Sequence, residues 1–262
     1  MRPRPARKEL GQHFLVDQNL LGVIGRLAEL GPDDVALEVG PGLGVLTSYL
    51  ADHAGHVHAV ELDRSLEAPL REAFAGRPNV ELHFGDALQL DLAALEPAPS
   101  KLVANLPYNI ATPLVAESLD LLPSVRLWTV MVQREVADRF FAKPSTKAYG
   151  AVSVLVQLSA ARTAFHPVSR TVFRPQPNVD SALVAFRRLQ QTRTWDRPRV
   201  KKVVTAAFAY RRKRLSNSLD LAGVATRDQA AGALEAIGRE PGVRAEELAP
   251  PEFVALAEAL DR

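Results

Sequence analysis

Up to residue 188, the apolar residues of this chain follow two different spacings in turn. Short continuous apolar runs, which are typical of buried strands, occur at Val35–Val39, Val57–Val60, Val80–Phe84, Lys101–Ala104 and Leu127–Val132. Segments with the spacing of an amphipathic helix lie before and between these runs, at 17–30, 43–51, 66–74 and 112–122. Strands that alternate with helices predict a doubly wound, mostly parallel sheet of the α/β class.

The pattern changes after residue 188, where strand signals stop and only helical spacing continues. The later helical segments lie at 197–210, 213–222, 227–237 and 251–260. Further elements before the change are strands at Phe165–Val168 and Ala182–Phe186, and a segment, 150–161, that fits a helix or a strand. We therefore predict an α/β domain at 1–188 and a small all-helical domain at 189–262.

The composition excludes several classes of chemistry. The 262 residues are 47% hydrophobic and 24% charged, which is typical of a globular protein with room for a large and a small domain. There is no cysteine, and the six histidines show no metal-ligand spacing, so we expect neither thiol chemistry nor a metal site. No apolar run reaches the roughly 18 residues of a membrane span. The expectation is a cytoplasmic protein that makes no membrane contact.

The charge of the chain is concentrated in two segments. The formal net charge is only +2, yet the N-terminus carries Arg2, Arg4, Arg7 and Lys8. Between Arg187 and Arg214 there are eleven Lys and Arg residues and a single acid, Asp196. Two basic segments on a nearly neutral protein favour binding of a polyanion, and nucleic acid is the one that we predict. The alternative is a solvated charged helix, although such helices usually mix both signs.

A glycine-rich turn follows the first strand of the predicted sheet. Gly40, Gly42 and Gly44 lack a Cβ, so the backbone there can come close to a bound nucleoside. Glu61 at the end of the next strand is placed to accept hydrogen bonds from ribose hydroxyls, and Asp86 after the third strand from an adenine amino group. Each acid alone is more often a helix cap or a turn residue. Because the turn has no lysine for phosphates, an adenosyl ligand fits better than ATP or NAD.

The fourth strand of the sheet ends in the sequence Asn105-Leu106-Pro107-Tyr108. Pro107 cannot donate to a sheet ladder, so the strand must stop at the edge where open α/β sheets bind ligands. The Asn105 amide oxygen and the Leu106 carbonyl are two neighbouring acceptors, and Tyr108 supplies a flat face. This combination suits a planar ring with an exocyclic amino group, such as adenine. The alternative is a strand-ending Asn-Xaa-Pro turn with a half-buried tyrosine.

Taken together, these motifs resemble the KsgA (RsmA) family of small-subunit rRNA adenine dimethyltransferases, and the resemblance covers essentially the whole chain. It rests on Gly11–Leu15, Glu38–Gly44, Val60–Asp63, Gly85–Ala87, Asn105–Ile110, Phe173–Ser181, Phe208–Leu219 and Arg244–Leu248. The resemblance implies a Rossmann-like methyltransferase sheet with a helical C-terminal domain, and S-adenosylmethionine as the cofactor. It also implies that the activity requires no metal.

The resemblance assigns roles to individual residues. The residues implied to hold the cofactor are His13, Leu15, Gly40, Gly42, Glu61, Asp86 and Asn105. The residues implied to bind and align the target adenine are Asn105, Leu106, Pro107, Tyr108 and Phe173, with the base stacked on Tyr108 and Phe173 closing over it. The charge of the basic segment predicts that Arg211, Arg212, Lys213 and Arg214 bind RNA, and the resemblance also allows some of them a structural role. His13 and Arg214 depart from the family pattern, which more often has asparagine and threonine there.

The implied activity is dimethylation of the exocyclic amines of two adjacent adenosines in the loop of the 3′-terminal hairpin of 16S rRNA. The implied partner is this rRNA within an immature small ribosomal subunit, and the implied enzyme is a monomer. One alternative is an Erm-type large-subunit methyltransferase, although such sequences usually lack the Arg244–Leu248 signature. Another is a non-catalytic RNA-binding or assembly factor on the same fold, which the intact Asn105, Pro107 and Tyr108 argue against.

Overall fold

The computed structural model of the chain describes residues 14–15, 17–190 and 195–261. Its strands are β1 (Phe14–Leu15), β2 (Val35–Val39), β3 (His56–Glu61), β4 (Val80–Phe84), β5 (Lys101–Asn105), β6 (Leu127–Gln133), β7 (Ala160–Val168), β8 (Phe173–Arg174) and β9 (Ser181–Arg188). Its α-helices are α1 (Gln18–Ala28), α2 (Val45–His53), α3 (Glu67–Phe74), α4 (Ala111–Leu121), α5 (Arg134–Phe140), α6 (Ala151–Ser159), α7 (Arg197–Ala209), α8 (Leu215–Leu221), α9 (Arg227–Ala236) and α10 (Pro250–Ala259). Within the described part of the chain, none of these helices has the length and apolar character needed to cross a bilayer.

Seven strands form one sheet in the order β4-β3-β2-β5-β6-β9-β7, with helices on both sides. The pairs from β4 to β6 are parallel, whereas β9 runs antiparallel to β6. The chain moves outward from β2 through β3 to β4 and then crosses to the other side of β2 to form β5. The prediction of a doubly wound, mostly parallel sheet is therefore confirmed. In such sheets ligands bind where the strand order reverses, outside the carboxyl ends of the strands.

Helices cover the sheet because its central strands are apolar on both faces. In β6, every residue except the last is buried. Trp128 of β6 stacks on Phe186 of β9 with ring centroids 5.4 Å apart, and its indole N–H donates to Ser118 Oγ of α4 at 2.9 Å. These contacts anchor β6 to β9 and α4, and its parallel pairing places it beside β5, the strand that carries Asn105.

The chain divides into two compact units, and the division differs in part from the predicted domains. One unit runs to Ala137 and includes Ala161–Arg188, and the other comprises Asp138–Ala160 and the residues from Leu189 onward. The chain thus passes from one unit to the other after Arg188, where the boundary was predicted. The prediction had placed Asp138–Ala160 in the α/β domain, however, and here the structure differs from it.

The apolar face of α6 explains why this segment belongs to the helical unit. Val154 is fully buried in the core of that unit, which also contains Leu219, Leu234 and Phe253. Immediately before α6, the Tyr149 hydroxyl donates to the Leu248 carbonyl at 2.8 Å. Segment 150–161 contains part of a helix and part of a strand, because α6 ends at Ser159 and β7 begins at the next residue. This is why its sequence pattern fits either element.

The hydrogen bond of Tyr149 predicts a stability difference. Replacement of Tyr149 by phenylalanine keeps the buried ring but removes the donor to the Leu248 carbonyl, and a buried acceptor without its partner costs about 1–3 kcal/mol. We expect Tyr149→Phe to lower the free energy of unfolding by this amount in urea titrations followed by circular dichroism. Tyr210→Phe is the control, since Tyr210 is 44% exposed. Equal stability of the two variants would contradict the prediction.

Candidate functional site

The carboxyl ends of β2, β3, β4 and β5 surround one open cavity. The predicted site residues that line it are Leu15, Gly40, Gly42, Glu61, Asp86, Asn105, Leu106, Pro107 and Tyr108. Motifs that are far apart in sequence meet here because neighbouring parallel strands end at the same edge of the sheet. His13 lies outside the described residues, and Phe173 is not among the residues that line the cavity.

Gly40 allows the glycine turn to pack directly against the Asn105–Tyr108 motif. Its φ of 78° lies in the left-handed region, which residues with a Cβ rarely adopt. A Cβ at this position would lie 3.2 Å from the ring atoms Cγ and Cδ of Pro107. The Gly40 N–H also donates to the Val60 carbonyl at 2.9 Å, which fixes the turn at the end of β3.

Glu61 connects the glycine turn to the end of β3. Its side chain is buried, with Oε2 accepting from the Gly42 N–H at 3.0 Å and Oε1 accepting from the Asp63 N–H at 2.8 Å. Burial raises the pKa of Glu61, whereas the two backbone hydrogen bonds act in the opposite direction. Each carboxylate oxygen has more than one acceptor position, so both can accept a further hydrogen bond from a ligand hydroxyl.

Asp86 brings a second carboxylate to the cavity. The Gly85 N–H donates to the Glu61 carbonyl at 2.9 Å, which places the start of this turn beside the end of β3. Leu43 and Leu62 also line the cavity and are 49% and 51% exposed. Exposed leucines next to a carboxylate provide apolar faces and a polar edge, which is what a flat heteroaromatic ring requires.

The Asn105–Tyr108 motif is held rigidly by its neighbours. The Leu106 N–H donates to the Met131 carbonyl at 3.0 Å. The Leu106 side chain is fully buried. The Tyr108 hydroxyl lies 3.0 Å from Ser181 Oγ, the first residue of β9. Burial raises the pKa of Tyr108, so the phenol is neutral at physiological pH. The tether at its hydroxyl fixes the orientation of the ring.

Phe173 does not reach the cavity, contrary to the sequence-based expectation that it closes over the target base. Its backbone pairs with Leu15 in the short sheet of β1 and β8. Its side chain is 1% exposed and packs in the same core cluster as Ile24 and Met131. Sequence reasoning could not distinguish a core phenylalanine from a stacking one. The same motif contributes Ser181 instead, through its contact with Tyr108.

Glu38 is a cavity residue that the sequence did not identify as part of the site. It is 1% exposed, and within the described residues its Oε2 has no hydrogen-bond partner. Burial raises the pKa of Glu38 to about 8, Thr47 of α2 acts in the opposite direction, and the negative charge of Glu61 adds to the increase. The side chain is therefore mostly a neutral acid at pH 7. The signal in the sequence was a lone acid within the apolar run of β2.

Comparison with known proteins identifies the family. A family model described as ribosomal RNA adenine dimethylase matches residues 4–260. The chain belongs to this family. Among curated relatives, ribosomal RNA small subunit methyltransferase A of Rubrobacter xylanophilus is 48% identical over 97% of this chain and 94% of its own length. The protein of the same name from Geobacter metallireducens is 43% identical over 97% of this chain and 95% of its own length.

Solved structures with the same fold include a dimethyladenosine transferase and an rRNA methyltransferase. A dimethyladenosine transferase from Plasmodium falciparum has a TM-score of 0.77 at 22% identity, covering 93% of this chain and 96% of its own. The 23S rRNA methyltransferase ErmE has a TM-score of 0.67 at 30% identity, covering 95% of this chain and 100% of its own. The Rossmann-like methyltransferase fold implied by the motifs is thus confirmed, and so is the identification of the protein as an rRNA adenine methyltransferase.

In this member of the family, the basic segment 187–214 does not form one uniform charged surface. Arg188 donates to the backbone carbonyls of Leu119, Leu122 and Val125 and lies over the Trp128 ring, so it is a structural residue. Other cations of the segment also contact protein groups: Arg187 contacts Glu29, Arg197 contacts Ser159, Arg199 contacts Asp261 and Arg211 contacts Glu246. Arg212, Lys213 and Arg214 are exposed, and within the described residues they have no ion pair.

The buried Glu38 predicts a pH dependence of stability. Its pKa is about 8 in the folded protein against 4.5 in the unfolded chain, so the folded state binds more protons between these pH values. The free energy of unfolding should therefore fall as pH rises through this window, relative to Glu38→Gln, by up to about 1.4 kcal/mol per pH unit. Urea titrations of both proteins at pH 5, 6, 7 and 8 measure the difference. Parallel pH profiles would show that Glu38 is ionised in the folded state.

Proposed function

We propose that this protein uses S-adenosylmethionine to dimethylate the exocyclic amines of two adjacent adenosines in the loop of the 3′-terminal hairpin of small-subunit rRNA. The observation that carries the proposal is the cavity at the carboxyl edge of the sheet, where the glycine turn, two carboxylates and the Asn105–Tyr108 motif meet. The names of the curated relatives, which share 41–48% identity with the chain, support the small subunit as the target. An immature small subunit in the cytoplasm is the proposed partner, and the active form is a monomer.

The cavity fits the nucleoside part of S-adenosylmethionine. The Glu61 carboxylate is buried and anchored by two backbone N–H groups, so it is preorganised to accept hydrogen bonds from the ribose hydroxyls. Asp86 is assigned to the adenine amino group, and Leu43 and Leu62 to the faces of the ring. Gly40 and Gly42 keep the turn free of side chains where the ligand passes, and Leu15 borders the same cavity. His13 retains its proposed role from the family motif.

Asn105, Leu106 and Tyr108 are assigned to the target adenine. We infer that the Asn105 side-chain oxygen and the Leu106 carbonyl accept the two hydrogens of the exocyclic amine. Tyr108 provides the stacking face, because its ring borders the cavity and its hydroxyl is held near Ser181. With Phe173 in the core, Tyr108 is the aromatic residue that we assign to the base. Pro107 sets the turn and contacts the glycine turn through the space that Gly40 leaves open.

The bound cofactor supplies an activated methyl group on a sulfonium, which brings its own leaving group. The protein therefore has to align the amine and favour the geometry in which the nitrogen lone pair leaves conjugation with the ring. The acceptors Asn105 and Leu106 orient the amine hydrogens away from the attack direction. The face of Tyr108 stabilises the positive charge that develops on the base. These roles need neither a nucleophilic side chain nor a strong base.

One alternative differs from the proposal in its target, and the other in having no catalytic activity. An Erm-type enzyme would use the same cavity, and the likeness to ErmE makes this the comparison to exclude by experiment. Purified protein would be incubated with methyl-labelled S-adenosylmethionine and either immature small or large subunits, and the rRNA analysed by mass spectrometry. We expect dimethyladenosine in small-subunit rRNA alone. Label in large-subunit rRNA would support the Erm-type activity, and no label in either would support a non-catalytic assembly factor.

Asn105→Ala should nearly abolish methyl transfer. Removal of one positioned polar contact to a transition state costs about 2.7–4 kcal/mol, or a hundred- to a thousandfold in rate. Single-turnover transfer of labelled methyl to immature small subunits measures the loss. Asn19→Ala, which changes an exposed asparagine of α1, is the matched control and should keep wild-type activity. Wild-type turnover by Asn105→Ala, with an unchanged melting temperature, would remove the motif from the active site.

Simultaneous replacement of Arg212, Lys213 and Arg214 by glutamine should weaken rRNA binding and its salt dependence. Each lost phosphate contact lowers the slope of log affinity against log salt by roughly 0.7–0.9. Binding of the rRNA hairpin would be measured at several salt concentrations.

Two controls separate RNA binding from structure. Arg211→Gln removes a half-buried ion pair with Glu246 and a hydrogen bond to the Thr146 carbonyl, so it should lower the melting temperature more than the salt slope. The charge-matched control replaces three cations in exposed ion pairs, namely Arg71, Arg77 and Arg227. An equal loss of slope in the charge-matched control would mean that net charge, rather than this surface, controls binding.

A further inference from the structure

Three histidines and a glutamate cluster on β3 and β4, outside the cavity described above. His56 and His58 lie two residues apart on β3, and Glu81 and His83 lie two residues apart on β4. The two side chains of each pair therefore project from the same face of their strand. The parallel pairing of the strands places His58 directly opposite Glu81. Among the described residues, His56, His58 and Glu81 form a set whose ligand atoms all lie within 4.8 Å of one another.

The distances within the cluster match the ligand shell of a tetrahedral metal ion. His58 Nδ1 lies 3.1 Å from His83 Nε2 and 3.5 Å from Glu81 Oε2. His56 Nε2 lies 3.7 Å from Glu81 Oε2, and His83 Nε2 lies 3.7 Å from Glu81 Oε1. Zinc with bonds of about 2.0–2.2 Å separates its ligand atoms by roughly 3.3–3.6 Å. Three nitrogen and oxygen donors, those of His56, His58 and Glu81, therefore surround a space of about the right size, and His83 lies beside them.

The tautomer of His58 is fixed in the form that coordinates metal. Its Nε2–H donates to the Pro97 carbonyl at 2.9 Å, which leaves Nδ1 as the nitrogen that accepts, either from His83 Nε2–H at 3.1 Å or by coordinating a metal ion. That nitrogen points at His83 and Glu81. A histidine ligand usually donates its other ring N–H to a carbonyl or carboxylate in this way, which orients the ring and increases its basicity.

Burial in the cluster is uneven, as expected for a site that an ion can enter. The His58 side chain is 0% exposed, those of His56 and His83 are 21% and 22% exposed, and that of Glu81 is 51% exposed. His56 Nε2 is itself buried and has no hydrogen-bond partner within the described residues. A buried ring nitrogen without a hydrogen bond is costly unless something else occupies its lone pair or takes its proton.

We propose that His56, His58 and Glu81 bind one zinc ion, with His83 adjacent to the site. Imidazole and carboxylate donors in a tetrahedral arrangement favour zinc over magnesium and calcium, which prefer shells made of oxygen atoms alone. Three positions of the shell come from the protein, and the fourth is left for a water molecule. Because His56, His58 and Glu81 lie outside the cavity described above, we assign the ion a structural role.

The position of the site supports a structural role. His56 is the first residue of β3 and Glu61 the last, so the cluster lies toward the opposite end of the strand from the cavity. The strand β4 is at the edge of the sheet and pairs only with β3 in the sheet order. A metal ion that joins both strands clamps this edge. The site is not visible in the sequence because its residues lie on two separate strands and meet only through the register of β3 against β4.

The direct test is the zinc content of tag-free protein. The full chain would be treated with a chelator, supplied with excess zinc, desalted and analysed by mass spectrometry for metal. We expect one zinc per chain and a higher melting temperature than that of the metal-free protein. The cobalt(II) form should show the intense visible absorption of a tetrahedral ion. A metal content near zero, or a weak octahedral cobalt spectrum, would overturn the proposal.

A pair of double variants assigns the ligands. His56→Gln with His83→Gln removes one proposed ligand, His56, and the histidine that contacts His58, while leaving the buried His58 in place. His53→Gln with His166→Gln removes two histidines outside the cluster and is the matched control. We expect the first pair to lose bound zinc, with an affinity lower by at least about a hundredfold in competition with a chelating dye. The control should retain one zinc per chain.

Glu81→Gln keeps the test independent of folding, because the Glu81 side chain is half exposed and its replacement leaves the core intact. It should lower zinc affinity at least about tenfold without changing the melting temperature of the metal-free protein. If Glu81→Gln and the first double variant both retain wild-type affinity, the bound zinc lies elsewhere and the proposal is wrong.

Discussion

The carboxylate of Glu61 is the interaction on which the geometry of the cavity depends. One oxygen accepts from the Gly42 N–H and the other from the Asp63 N–H, so a single buried side chain joins the glycine turn after β2 to the turn after β3. The backbone carbonyl of the same residue accepts from Gly85, which adds the turn after β4. Three strand ends therefore meet at one residue, and a ligand that binds its remaining lone pairs meets a preorganised acceptor.

The second constraint is the close contact between Gly40 and Pro107. It ties the proposed cofactor side of the cavity to the target side, because a Cβ on Gly40 would press on the ring of Pro107. The backbone of Gly40 is in the left-handed region, so the position is restricted by conformation as well as by space. Transfer between two bound groups requires that their relative position be fixed, and this contact fixes it through the backbone.

The sequence was sufficient to predict the sheet and most of the cavity, because both follow from local rules. Apolar runs specify strands, parallel strands share an edge, and polar residues directly after those strands must meet there. Phe173 was misplaced because an apolar residue near a motif has the same pattern in a core as in a site. Likewise, segment 138–160 was assigned to the wrong unit, because its place depends on helix packing, which hydrophobic periodicity does not reveal. The cluster around His58 was missed since it depends on the register of β3 against β4.

The measurement that tests the account most directly is calorimetric titration of S-adenosylhomocysteine into the wild-type protein and Glu61→Ala. Each hydrogen bond from a ribose hydroxyl to a charged carboxylate contributes about 1.5–3 kcal/mol. We expect the variant to bind at least about tenfold more weakly, while its affinity for the rRNA hairpin stays at the wild-type value. An unchanged dissociation constant for S-adenosylhomocysteine would contradict the assignment of Glu61 and, with it, the proposed arrangement of the cavity.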